Sequence, residues 1–281
     1  MKKVILLLLL LPTLLSAEVL SPPPISFSPR NIDHGYFPSV VAWTSIEKYH
    51  PQASGPNHNW DYDLGARFFF YNDGLVYFGG QGRMIHRNQL FEENQFYFWP
   101  SSLITDLQLF AGFSTRFTDI EFRFRHDCKH DIDISSRRDA IHDALGIIFH
   151  PSPNYVFTQQ LFLSGSTGFE YIIPPVIQGY DLEADIFSLW IDTLFSLRLP
   201  QGFGFPFFRS RAVLFRRRAD TQATGIRNWD MDYILQAGWS FGESGGIRIF
   251  GQFERQSDDW YDYTVDAYEM FSIGLLLFSQ Y

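Results

Sequence analysis

Three polar side chains interrupt an otherwise apolar row near the middle of the chain: His126, Cys128 and His130, each two residues from the next. The row opens with Ile120, Phe122 and Phe124 and resumes with Ile132 and Ile134. Between its members stand Glu121, Arg123, Arg125, Asp127, Lys129, Asp131 and Asp133, every one charged. Only an extended strand separates two such sets onto opposite faces. A thiol between two imidazoles first raises metal binding. Alternate residues on one strand stand about 7 Å apart, so three of them close poorly on one ion, and neither a metal nor another cofactor is expected.

The charged phase carries a second set. Arg67, Arg83, Arg116, Arg123, Arg125, Arg198, Arg209, Arg211 and Arg248 share it with Asp63, Asp106, Glu121, Asp192, Asp232 and Glu254. If that face lines an interior, fixed positive charge exceeds negative there, and a basic constriction favours anions. The other reading is a packed polar core in which guanidiniums pair with carboxylates. A two-residue turn at Thr118-Asp119 would set Arg116 directly opposite Glu121 as one such pair. Asp258, Asp259, Asp262 and Asp266 could hold a divalent cation in a loop, though ordinary solvation explains them as well.

The elements that must position these groups are strands. From about Tyr36 onward the hydrophobic period is 2, and helical spacing finds no sustained support. The alternation predicts about twelve strands, near 36–48, 61–71, 75–86, 103–117, 120–134, 141–149, 155–165, 184–199, 205–217, 229–241, 247–255 and 267–281. Short connections rich in Gly, Pro, Asn or Asp, at 72–74, 118–119, 150–154, 200–204 and 242–246, alternate with longer ones near 49–60, 87–102, 135–140, 166–183, 218–228 and 256–266. Short turns at one end, long loops at the other and an even strand count predict an all-β, up-and-down antiparallel transmembrane barrel. A soluble sandwich would also bury one face of each strand, but its loops would not sort by length.

Composition agrees. The 281 residues are 18% aromatic and 19% charged. Residues 1–17 have two lysines, an apolar run from Val4 to Leu15 and a small-residue end at Ser16-Ala17, the pattern of a secretory signal peptide. Without them 20 Lys and Arg face 31 Asp and Glu, which argues against a nucleic-acid partner. One cysteine excludes an intramolecular disulfide framework. A proline-rich linker fills 18–35, and the barrel occupies 36–281.

The final strand places Phe271, Ile273, Leu275 and Leu277 in one phase and stops on Tyr281. It resembles the C-terminal strand by which bacterial outer-membrane β-barrel proteins are recognised for assembly, with Ser279 where an apolar residue is usual. That resemblance implies the barrel-assembly machinery as a partner, outer-membrane lipid as the surroundings, short turns in the periplasm and long loops outside. Arg216-Arg217-Arg218, at a strand end, could then hold lipopolysaccharide phosphates. His126-x-Cys128 is similar to the His-x-Ser pair of outer-membrane phospholipase A and lipid A deacylases, whose dyad sits on the outer wall near the outer leaflet. The likeness implies acyl transfer from a lipid ester, with His126 as base and Cys128 as nucleophile. Cys replaces the Ser of those families. Projecting the neighbouring strands sets Leu107, Leu109 and Ala111 on one side and Leu145, Ile147 and Phe149 on the other, without a group to orient the histidine or stabilise an oxyanion. An interface patch in a homo-oligomer, or a strand end lifted above the bilayer, explains the row without catalysis. Three functions therefore stay open: passage of small anionic or polar solutes, lipid acyl hydrolysis, and a structural or surface-interaction role.

Overall fold

The computed structural model describes residues 33–50, 58–89, 102–131, 139–151, 161–173, 185–197, 199, 203–217, 229–242, 245–256 and 268–280. The leader, most of the linker, the terminal Tyr281 and the aspartates at 258–266 lie outside the described residues. The strands are β1 Gly35–Tyr49, β2 His58–Asn72, β3 Val76–Gln89, β4 Ser102–Ser114, β5 Thr118–Asp131, β6 Asp139–Pro151, β7 Leu161–Ile173, β8 Asp185–Leu197, β9 Phe205–Arg217, β10 Trp229–Phe241, β11 Gly245–Gln256 and β12 Tyr268–Gln280. Each pairs antiparallel with its neighbours in sequence, and β1 pairs with β12, so the sheet closes into a barrel.

Alternation sorts the side chains as the period demands. Phe271, Ile273, Leu275 and Leu277 on β12, and Leu235, Trp239 and Phe241 on β10, lie exposed on the outer wall, while Gln236, Ser240 and Ser272 between them are buried inside. A wall of exposed apolar side chains around a polar interior is stable only where the surroundings are themselves apolar, as in a bilayer. The tight turn after β2 is built by its own side chains: Asn72 Oδ1 accepts from Gly74 N at 3.0 Å, and Asp73 Oδ1 accepts from Leu75 N and Val76 N at 2.8 and 2.7 Å. Gly74, at φ +85°, supplies the left-handed residue that such a reversal requires.

Two expectations are corrected. The reversal after β4 comes earlier than Thr118-Asp119. Thr115 Oγ1 donates to Thr118 O at 2.7 Å and accepts from Thr118 N at 3.1 Å, so the chain turns at 115–117 and β5 begins at Thr118. Arg116 therefore sits exposed in the turn, its guanidinium 5.5 Å from the Phe117 ring, and Glu121 faces Gly112 instead. The seventh strand also lies further along the chain than 155–165. Its Ser166 and Gly168 fall in the connection expected near 166–183, yet Gly168 is where Trp190 of β8 packs: a Cβ there would lie 2.7 Å from the indole. A tertiary contact makes those small residues a strand, and Glu170, assigned by sequence to a loop, becomes an interior residue.

The interior is bridged from side to side. Trp43 of β1, Leu194 of β8, Phe207 of β9, Phe250 of β11 and Leu276 and Phe278 of β12 form one buried cluster, which brings together strands that are not neighbours in the sheet. Phe69, Tyr77 and Phe110 form another, with the Arg67 guanidinium 3.8 Å from the Phe110 ring centre.

Candidate active site on the barrel wall

His126 and Cys128 are alternate residues of β5, so both project outward. The direct cross-strand partner of His126 on β6 is Asp143. This pairing decides the chemistry. Cross-strand partners hold their Cβ atoms about 4.5–5.5 Å apart, close enough for a short carboxylate to reach an imidazole. Asp143 Oδ1 lies 2.7 Å from His126 Nδ1, and Cys128 Sγ lies 2.9 Å from His126 Nε2. The imidazole is thus held between a carboxylate and a thiol, each on its own ring nitrogen. An Nδ1–H donating to Asp143 leaves Nε2 as the acceptor for the thiol proton, a tautomer assigned from the hydrogen-bond geometry.

The arrangement sets a thiol, an imidazole and a carboxylate in line, the order that a nucleophile, a base and an orienting group would need. It cannot chelate, because the two ring nitrogens point away from each other, and among the described residues no three His, Cys, Asp or Glu side chains converge as a metal site requires. The backbone of His130 faces Leu103 and Asp139, one pair further up the strands; its side chain lies outside the described residues.

Location and exposure suit a lipid-facing site. Cys128 is ten residues above the start of β5, which at about 3.3 Å per residue and a tilt of about 40° is roughly 25 Å up a wall whose apolar band is about 25 Å tall. The His126 and Asp143 side chains are each 34% exposed, and Cys128 is buried to 9%. Below them the wall is apolar: Leu107 and Leu109 on β4, Phe124 on β5 and Leu145 on β6 are all exposed. Thr105 of β4 lies directly across from Cys128 and Ile141 of β6 on its other side.

The strand alternation predicts Leu145, Ile147 and Phe149 beside the row, with no orienting group among them. Those leucine and aromatic neighbours are correct for Phe124, Phe122 and Ile120, but the alternation continues one step further, and that step is Asp143. The signal was present as the next in-phase residue of the sixth strand. It needed the register across the connection at 132–138.

The lumen behaves differently from the expectation of excess positive charge. Arg67 pairs with Glu121 at 2.5 Å, Arg83 with Asp63 at 2.6 Å, Arg123 with Glu170 at 2.6 Å and Arg209 with Asp192 at 2.5 Å; Arg125 contacts both Asp127 and Glu170. Asp61, Asp127 and Glu170 add to the inward carboxylates, so that buried acidic groups outnumber buried guanidiniums among the described residues. Arg211 and Arg248 lie inside against aromatic rings, Arg211 5.1 Å from Trp190 and Arg248 5.0 Å from Phe278. Arg198 lies outside the described residues. Arg216 is placed over the Trp229 ring at 5.3 Å, on the outward phase.

No protein-family model and no curated protein matches the chain. Solved structures with a similar course of the chain include the NanC porin (8% identity, TM-score 0.48, covering 85% of this chain and 98% of that one). They also include LpxR from Salmonella typhimurium (5% identity, TM-score 0.48, covering 85% and 99%) and the beta domain of the Bordetella autotransporter BrkA (10% identity, TM-score 0.39, covering 86% and 98%). At these identities the likeness concerns architecture alone. The chain is a closed, twelve-stranded up-and-down β-barrel, similar in architecture to bacterial outer-membrane proteins.

Proposed function

We propose that this barrel is an outer-membrane lipid acyl hydrolase whose catalytic residues are Cys128 and His126, with Asp143 as the positioning residue. The observation that carries the reading is the Sγ–imidazole–carboxylate line on the outward face at the upper edge of the apolar wall. There the ester carbonyl of an outer-leaflet lipid can meet Sγ while its acyl chains lie along Leu107, Leu109, Phe124 and Leu145. His126 takes the thiol proton, Cys128 attacks the carbonyl, and the same imidazole returns the proton to the leaving alcohol. Water, activated by His126, then cleaves the thioester and releases the fatty acid. The Thr105 hydroxyl, on the β4 residue directly across from Cys128, is a candidate donor for the developing oxyanion.

Solute passage is the weaker reading, because ion pairs and aromatic clusters fill the interior at the described residues. The test is release of fatty acid from mixed micelles of diacyl glycerophospholipid by the purified, refolded barrel. Wild-type activity should fall by at least about a thousandfold in Cys128→Ala. Equal hydrolysis by Cys128→Ala, or conductance of the wild type in planar bilayers without any lipolysis, would reverse the choice between the two readings.

A further inference from the structure

Most lumen arginines have a carboxylate of their own; Arg211 does not. It projects inward from β9, is buried to 7% and forms no ion pair among the described residues. Among the described residues its enclosed Nε has no hydrogen-bond partner, and the same holds for Nε1 of Trp190, the indole over which the Arg211 guanidinium lies at 5.1 Å. Two buried donors without acceptors thus occupy one neighbourhood. Buried N–H groups left in this way ask for a ligand or a water.

Charge decides between those two. The ionised groups that act on Arg211 are the carboxylates of Asp192 and Glu170 and the guanidiniums of Arg209 and Arg123. Asp192 is already held at two points by Arg209, Nε to Oδ1 at 2.9 Å and Nη2 to Oδ2 at 2.5 Å. Glu170 is shared between Arg123 at 2.6 Å and Arg125 at 3.1 Å. Arg123 also lies 5.8 Å from the Trp190 ring, so two guanidiniums flank one indole. Water can satisfy an N–H but cannot offset an enclosed unit charge; an anion does both.

We propose that the lumen binds one small inorganic anion of the halide class between Arg211 and Trp190. The small part of both side chains that stays accessible favours an ion of that size over an organic acid. The anion neutralises the third guanidinium of the cluster and ties β8 to β9 from within. This site faces the interior, whereas the Cys128 triad faces outward, so either assignment can fail without the other.

The test uses the full barrel in detergent. Crystals soaked in sodium bromide should give an anomalous peak within hydrogen-bond reach of Arg211 Nε. At constant ionic strength, the thermal midpoint should lie about 2–4 °C higher in chloride than in gluconate, which is too large to enter. Trp190→Phe keeps the ring, removes the N–H and should diminish that difference; Arg211→Met should abolish it. Water-only density at Arg211, a midpoint that ignores the anion, or an undiminished difference in Arg211→Met would overturn the site. Should Arg211→Met not fold, the bromide map and Trp190→Phe decide alone.

Discussion

Replacing Asp143 by Asn separates a catalytic array from three polar residues that happen to touch. The substitution keeps the shape and a hydrogen-bond acceptor 2.7 Å from His126 Nδ1 but removes the charge. When the imidazole takes the thiol proton, a positive ring faces a carboxylate; at about 4 Å and an effective dielectric of about 20, this interaction is worth about 4 kcal/mol. Both side chains are 34% exposed, so solvent screening reduces the figure, to roughly 1.5–3 kcal/mol for a charge-assisted hydrogen bond. With about 1.4 kcal/mol per decade, kcat should fall by roughly 10- to 150-fold. KM should stay near the wild-type value, because Asp143 stabilises charge formed during the reaction and not the bound lipid. The assay is fatty-acid release from micelles of fixed surface dilution, with folding of each variant verified by its heat-modifiable migration. A variant within twofold of wild type in kcat would refute the positioning role. So would a loss confined to KM, since that would make Asp143 a binding contact.

Other consequences concern the barrel itself. Arg67→Met leaves the fully buried Glu121, among the described residues, with His150 Nε2 at 3.5 Å as its remaining ion-pair contact and should destabilise the barrel by about 3–5 kcal/mol in urea titrations of lipid-reconstituted protein. Gly168→Val places a side chain where Trp190 packs and should cost about 1–3 kcal/mol or more in the same titration, whereas Gly251→Val, on the outer wall, should be far milder. The backbone N–H groups of Val76 and Leu75 hold the Asp73 carboxyl below its ordinary range. Because the folded state favours its charged form, its support of the first turn is complete above the unfolded carboxylate range and fades as pH falls through the folded value. The protection factors for amide exchange at Leu75 and Val76, each taken against the intrinsic rate at the same pH, should therefore fall on acidification in the wild type and be indifferent to that step in Asp73→Asn.

The inside and the outside of this barrel are legible in the strand period, and so is the placement of an imidazole and a thiol on one outward face at His126 and Cys128. Ile120, Phe122 and Phe124 alternate with Glu121, Arg123 and Arg125 because a strand sends successive side chains to opposite faces, so one face's environment is written into every second residue. His126 and Cys128 stood out for the same reason, as polar groups in an apolar phase. The partners of those residues were not legible, since pairing is a property of two strands. A turn at Thr118-Asp119 would match Glu121 to Arg116, but the Thr115 hydroxyl sets the turn earlier, and Glu121 pairs with Arg67 from across the lumen.

Each strand's own residues carry the strand period, the polarity of each face and the outward placement of the thiol and imidazole, and the alternating connections carry the closed up-and-down topology. Pairing between strands sets Asp143 beside His126, makes Glu170 an interior residue and neutralises most of the lumen's described arginines in place. The physical reason is register: a slip of one residue between strands reverses every face, and a slip of two exchanges every partner while leaving each strand's own pattern intact. Local periodicity is blind to that second slip, and only the closed network of pairings around the barrel removes it.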